Sequence, residues 1–181
     1  GGAMCGRTSF AIARDRVLEA VGVGASDQNP PSASPRAEEG DQACLQGYRP
    51  SWNVGPGRAM PVLVRQEGRA AVRVMHWGLV PAFADKGARP DFFRMFNARS
   101  ETLRSKRAFS RLIDRRRCVV PVQGFFEWRK AAGSARKQPF FVHRASGRLL
   151  YLAGLYDVWT DGGGNELRTY TIVTKPANAR L

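Results

Sequence analysis

The chain has 181 residues and carries 29 Lys+Arg against 15 Asp+Glu, a net charge of +14. It is 43% hydrophobic and 10% aromatic, which excludes disorder over most of its length and suits one domain with a real core. Its longest apolar runs, such as Leu149–Leu155, fall far short of the ~20 residues of a membrane span, so no membrane association is expected.

Gly1–Gly2–Ala3 before Met4 reads as an expression scar, and the natural chain is expected to begin Met4–Cys5–Gly6–Arg7. No signal peptide is visible, because Cys5–Gly6–Arg7 interrupts any early apolar stretch. Ala13–Val21 places Val17, Leu18 and Val21 at helical spacing. Gly22–Pro50 holds Pro30, Pro31 and Pro35 among many polar residues and reads as a long mobile surface loop inserted in the domain. Strands are expected at Met60–Arg65, Ala71–Trp77, Arg117–Val122, Phe125–Arg129, Phe140–Arg144, Arg148–Leu155 and Arg168–Thr174, each rich in β-branched or aromatic residues. A strand-like run, Phe92–Phe96, leads into a helix capped by Ser100 and running from Glu101 to about Ile113. That helix would bury Leu103, Phe109, Leu112 and Ile113 and expose Arg104, Arg107, Arg111 and Arg115. The expected fold is a single α+β domain over residues 4–181. Its mainly antiparallel sheet closes into a barrel, with a few flanking helices.

The charge is not evenly spread. Between Arg94 and Arg117 nine basic residues oppose only Glu101 and Asp114, a net +7 in one short window. Eight of the nine are Arg, whose planar fork suits phosphates and stacks on bases. Such a cluster points to nucleic acid, while the alternative is a solvated face that keeps the protein soluble.

Four features could carry chemistry. Cys5 becomes the first residue once Met4 is removed. An N-terminal Cys offers an amine with a pKa near ~7.7–8 beside a thiol near ~8.5, a pair able to trap an aldehyde. The alternative role is a small apolar residue opening a strand. Glu127 lies in Gly124–Phe125–Phe126–Glu127–Trp128, where apolar surroundings would raise its pKa into a range useful for proton transfer. It could equally face solvent or pair with an Arg. Asn97 and Arg99, in Asn97–Ala98–Arg99–Ser100–Glu101, could hold a substrate oxygen and a phosphate, or simply shape a turn. Trp52–Gly57 and His76–Pro81 are aromatic turns that could stack unpaired bases or fill the core. Cys44 and Cys118 read as packing residues. Three cysteines give neither a disulfide framework nor zinc spacing, and His76 and His143 are isolated, so no metal or other cofactor is expected.

Met4–Arg7, Trp52–Gly57, His76–Pro81, Phe96–Thr102, Gly124–Trp128, Ala153–Trp159 and Thr171–Thr174, in this order, resemble the SRAP domains, the SOS response-associated peptidase family. The resemblance implies a DNA-damage enzyme that removes its own initiator Met and binds single-stranded DNA. It would crosslink to abasic sites through a thiazolidine at the mature N-terminal Cys, with lyase activity also known in the family. Carried over by position, Cys5 is the nucleophile, Asn97 holds the sugar or the N-terminus, and Glu127 shuttles protons. Arg7, Asn53, Trp77, Arg99, Arg107 and Trp128 would line the DNA path. The implied setting is the replication fork, with the protein a monomer that is nuclear in a eukaryote or associated with the nucleoid in the bacterial cytoplasm. The family also carries a His in a His-x-Arg-Met-Pro segment shortly after the last strand. Neither His76 nor His143 fits that position, so the C-terminal part of the domain is expected to lie beyond Leu181. With Gly1–Met4 in place Cys5 has no free amine, and crosslinking is expected only after processing. The alternative function is a noncatalytic reader of single-stranded or modified DNA.

Overall fold

A computed structural model describes residues 6–22, 44–130, 133 and 136–176. The expected scar, Met4, Cys5 and most of the expected loop, residues 23–43, lie outside the described residues. Strand β1 (Arg7–Phe10) is followed by a 3-10 turn (Arg14–Arg16) and a short helix α1 (Val17–Val21). Next come β2 (Ser51–Val54), β3 (Ala59–Gln66), β4 (Arg69–Trp77) and β5 (Asn97–Arg99). A 3-10 turn (Ser100–Thr102) and the one-turn helix α2 (Arg107–Ser110) lead to β6 (Arg117–Val122), β7 (Gly124–Lys130), β8 (Lys137–His143), β9 (Leu150–Thr160) and β10 (Glu166–Thr174).

Five strands form a closed barrel in the order β4-β3-β6-β9-β10, and β10 pairs back onto β4 to close it. The pairings are antiparallel except at that closure, where Thr169 meets His76 and Tyr170 meets Trp77 in parallel. Further along, β10 leaves β4 and pairs in parallel with β5, Ile172 against Asn97 and Thr174 against Arg99. This double duty explains why Thr169, Tyr170, Thr171 and Ile172 are all buried: a strand covered on both faces loses its alternation. The β3–β4 turn, Glu67–Gly68, has positive φ at both residues, as a tight two-residue hairpin requires. Val62, Val72, Met75, Val120 and Val122 of the barrel strands form one core with Phe10, Val17 and Val21.

A second sheet, β2-β1-β7-β8, grows from one end of the barrel, since only Gln123 separates β6 from β7. Gln123 ties the two together: its N–H donates to Ser9 O at 2.8 Å and its Oε1 accepts from Ala11 N at 2.7 Å. Gly124 is needed there, because a Cβ would lie 2.4 Å from the Phe141 ring and 2.7 Å from Val142 O. The β3–β4 turn and the start of β6 mark the opposite end of the barrel.

Three expectations change. The last residues of the expected surface loop belong to the core: Leu45 and Tyr48 are buried, and the Tyr48 hydroxyl bonds Ile12 O at 2.8 Å and Phe10 O at 3.1 Å. The run Phe92–Phe96 is a string of turns and bends, and the strand begins at Asn97. The helix expected from Glu101 to Ile113 is broken. Thr102 and Ser105 hydroxyls bond backbone carbonyls three residues back, and Lys106 takes an extended conformation, so only Arg107–Ser110 is α-helical. Its inward residues are nonetheless right. Leu103, Phe109 and Leu112 are buried in a second cluster with Leu79, Ala98 and Leu155, and Ile113 packs against it. A chain of turns repeats near three residues, so it keeps the same side inward over a short span. Among the described residues no helix is long and apolar enough to cross a membrane.

Candidate nucleic-acid interface

Strand β1 carries the start of the described chain between two of the expected site elements. Gly6 lies against Phe96, with its Cβ position 3.8 Å from Phe96 Cε2, and Phe96 directly precedes Asn97. Arg7 pairs with Phe126 across to β7, and Phe126 directly precedes Glu127. The first two described residues are therefore flanked by the neighbours of Asn97 and of Glu127. Asn97 itself is half-buried and held by the β5–β10 pairing opposite Ile172.

Alternation along β7 gives its two faces different tasks. Phe125 and Glu127 share the side on which the β1 neighbour Thr8 is buried. Glu127 is half-buried there, its Oε1 is shielded from solvent, and that oxygen meets no hydrogen-bond donor among the described residues. Desolvation raises its pKa above the usual carboxylate range. The other side of β7 presents Phe126 and Trp128 with Phe141 of β8, whose ring lies 4.9 Å from that of Phe126 and 5.3 Å from that of His143. Trp128 is 42% exposed. On β2, at the sheet edge, Trp52 is 66% exposed. Arg7 reaches across to β2, where its Nη1 donates to Asn53 Oδ1 at 3.1 Å, and the guanidinium lies over Gly55. A basic and aromatic face on one side of the sheet thus backs a half-buried acid on the other side of β7.

The sequence model of the SOS response associated peptidase (SRAP) family matches residues 4–181. The chain belongs to the SRAP family. It is 31% identical to the abasic site processing protein YoaM of Bacillus subtilis, covering 97% of this chain and 69% of the relative. It is 34% identical to the abasic site processing protein HMCES of Gallus gallus, covering 97% of this chain but 58% of the longer relative. A crystal structure of a Bacteroides thetaiotaomicron protein superposes with a TM-score of 0.72 at 26% identity, over 97% of this chain and 70% of that one.

Not every residue carried over to the SRAP DNA path sits at the surface. Trp77 is fully buried: its Nε1 donates to Phe96 O at 2.8 Å, and its ring stacks on Tyr170 at 6.5 Å and meets Phe96 edge-on. It supports the segment leading to Asn97 and has no face to offer a base. The turn after it depends on Gly78, with φ of +115° and a Cβ position only 2.1 Å from Phe92 O. His76 stacks on Phe92 and bonds Gly57 O through Nδ1 at 2.9 Å, a packing task. Arg99 is exposed on β5. Beside it, hydrogen bonds from its own backbone and from Ser100 hold the Glu101 carboxyl below the usual range, with the charges of Arg99 and Lys175 adding to the effect. Arg107 is exposed on α2, the helix whose Phe109 enters the second core cluster, with its guanidinium 4.7 Å above the Phe83 ring. Cys118 is buried and burial pushes its thiol up to about 12, so it is an inert packing residue. Cys5 lies outside the described residues.

Two features escaped the sequence reading. Asp157 is a fully buried carboxylate on β9 that faces Arg111 at 3.9 Å and Arg116 at 3.6 Å and accepts from Ala82 N at 2.8 Å. Its only sequence signal is an acid inside the apolar run Leu150–Trp159. Phe141 completes the aromatic face, but only the β7–β8 register brings it opposite Phe126.

Proposed function

We propose that this protein processes abasic sites in single-stranded DNA, with Cys5 as the covalent trap once Gly1–Met4 are removed. The observation that carries this reading is β1 itself. Gly6, the residue after Cys5, lies against Phe96, the neighbour of Asn97, and Arg7 pairs with Phe126, the neighbour of Glu127, so the strand leads Cys5 towards the two residues expected to serve it. The printed names of the relatives, abasic site processing proteins, support the substrate class.

The chemistry balances without a cofactor. The Cys5 amine adds to the ring-opened sugar aldehyde, and the carbinolamine loses water to give an imine. The Cys5 thiolate then adds to the imine carbon and closes a thiazolidine, so aldehyde and aminothiol yield ring and water. Water loss needs an acid, and a half-buried Glu127 with a raised pKa retains its proton closer to neutrality than a solvated carboxylate does. Asn97 would orient the sugar or the amine. Arg7, Asn53 and Arg99 would hold backbone phosphates, and Trp128 would stack a base exposed beside the lesion. Arg107 would meet the strand away from the lesion, and Trp77 acts only by supporting the turn.

The test is intact-mass analysis of processed protein mixed with an abasic single strand. The expected result is a species at the summed mass minus one water that survives denaturation. Noncovalent binding without that species would favour the second reading, a noncatalytic DNA reader, which the exposed aromatic and basic face also suits. Cys5→Ala separates the two: it removes the adduct and leaves noncovalent affinity in place.

A further inference from the structure

A cleft of about 630 Å³ opens at the end of the barrel opposite the second sheet. Five arginines surround it: Arg65 of β3, Arg73 of β4, Arg115 and Arg116 ahead of β6, and Arg168 of β10. Among the described residues, two of them meet a carboxylate. Arg168 pairs with Glu166 at 2.9 Å, and Arg116 faces buried Asp157 at 3.6 Å while lying 5.7 Å above the Tyr156 ring. Arg73 is held by neutral groups, the Gln66 amide and Val72 O. Arg65 and Arg115 are exposed and meet no carboxylate among the described residues. Three positive charges, Arg65, Arg73 and Arg115, therefore converge on a ligand-sized cleft without a counter-charge among the described residues. Like charges held together favour binding an anion that neutralises several at once, and the Arg fork matches phosphate oxygens two at a time.

We propose that this cleft is a second nucleic-acid site, which takes the phosphodiester backbone of the strand several nucleotides away from the lesion. It rests on the reading that the protein handles DNA, but it does not depend on the covalent step. The two ends of the barrel are separated by the length of β3, whose eight residues span about 26 Å. At the stacked spacing of ~3.4 Å per nucleotide about eight nucleotides bridge that distance, and an extended single strand needs fewer. A strand of only a few nucleotides reaches one site, and a long strand reaches both.

The experiment compares wild type with the double variant Arg65→Ala/Arg115→Ala, both residues being exposed and outside the lesion site. Affinity for an undamaged 30-nucleotide strand is measured across salt concentrations, and adduct yield is measured on a three-nucleotide abasic strand. Each phosphate contact on a single strand contributes about 0.7 to the log–log salt slope, so the double variant should lose about 1.4 of slope on the long strand. Adduct yield on the short strand should not change. An unchanged slope overturns the proposal and leaves abasic-site processing intact, whereas a reduced slope without any adduct supports the cleft and counts against the covalent reading. Inorganic pyrophosphate supplies the remaining arm. If it raises the melting temperature of wild type but not of the variant while the slope is unchanged, the cleft takes small free phosphates and the strand proposal falls.

Discussion

Asp157→Ala should be among the most destabilising single changes outside the apolar core. The carboxylate is fully buried, and one substitution removes every partner it serves. At an effective dielectric constant of ~20 each arginine, at 3.6 and 3.9 Å, attracts it by roughly 4 kcal/mol before desolvation is subtracted. Desolvation of the acid takes back much of that, and Arg111 and Arg116 are 44% and 40% exposed, so their charges can rehydrate when Asp157 is lost. Ala82 N–H cannot rehydrate so readily, and losing its charged acceptor costs about 1.5–3 kcal/mol. The sum is about 3 kcal/mol, the low end for breaking a buried pair. For a domain of this size that lowers Tm by roughly 6–12 °C. Asp157→Asn keeps one acceptor and loses both ion pairs, so it should cost about 2 kcal/mol. Urea unfolding of the three proteins, followed by tryptophan fluorescence, reads these values directly. A cost below about 1 kcal/mol for Asp157→Ala would show that water already supports the arginines and Ala82, and the reasoning would be wrong.

Glu127→Gln should slow adduct formation, and the wild-type rate should fall as pH rises through the elevated Glu127 pKa; equal rates and parallel pH profiles would remove Glu127 from proton transfer. The same shift has a sign for stability. A folded pKa above the unfolded one means the folded state binds more protons between the two values, so Glu127 costs stability as pH rises through that window, and Glu127→Gln should gain on wild type at pH 7 relative to pH 4 in urea unfolding. Trp128→Ala should weaken single-strand affinity by about 5- to 150-fold, the range of ~1–3 kcal/mol for one stacked base, whereas Trp77→Phe should lower Tm and leave affinity unchanged. Gly78→Ala forces a Cβ into Phe92 O at a positive φ and should cost about 3 kcal/mol or more, or yield insoluble protein; a well-folded variant would mean that the Phe92 turn yields easily.

The barrel was largely legible because its strands carry their own signal. Arg117–Val122 matches β6 end to end, and Ala71–Trp77 falls within β4. Short strands were not legible. β1, β2 and β5 have three or four residues each, and only their partners make them strands. The region from Glu101 to Ile113 showed its buried face correctly but not its backbone, because Thr102 and Ser105 compete for carbonyls that a continuous helix would use. At the site, the acid in Gly124–Trp128 was visible as a carboxylate among aromatics. Which side of β7 it faced was not, since that depends on the register with β1. Trp77 shows the limit in the other direction: the aromatic turn His76–Pro81 left open whether Trp77 stacks a base or fills the core, and only tertiary packing decides that it is enclosed.

The barrel's closure places a demand on how the chain is made. Among the described residues, β10 is the strand that joins β9, β4 and β5, and its seam with β4 is two residue pairs long. Until Glu166–Thr174 has left the ribosome, β4 and β9 remain open edges, even though the β3–β4 hairpin can form as soon as it emerges. Roughly ninety residues separate the two sides of the seam, so closure is a late, long-range event with little local help. A nascent chain stalled before β10 would expose strand edges built to pair, and its Asn97 strand would have no neighbour to hold it. The element that completes the enclosure is thus also the one that sets the site, and the protein can bring Asn97 into place only when its barrel is whole.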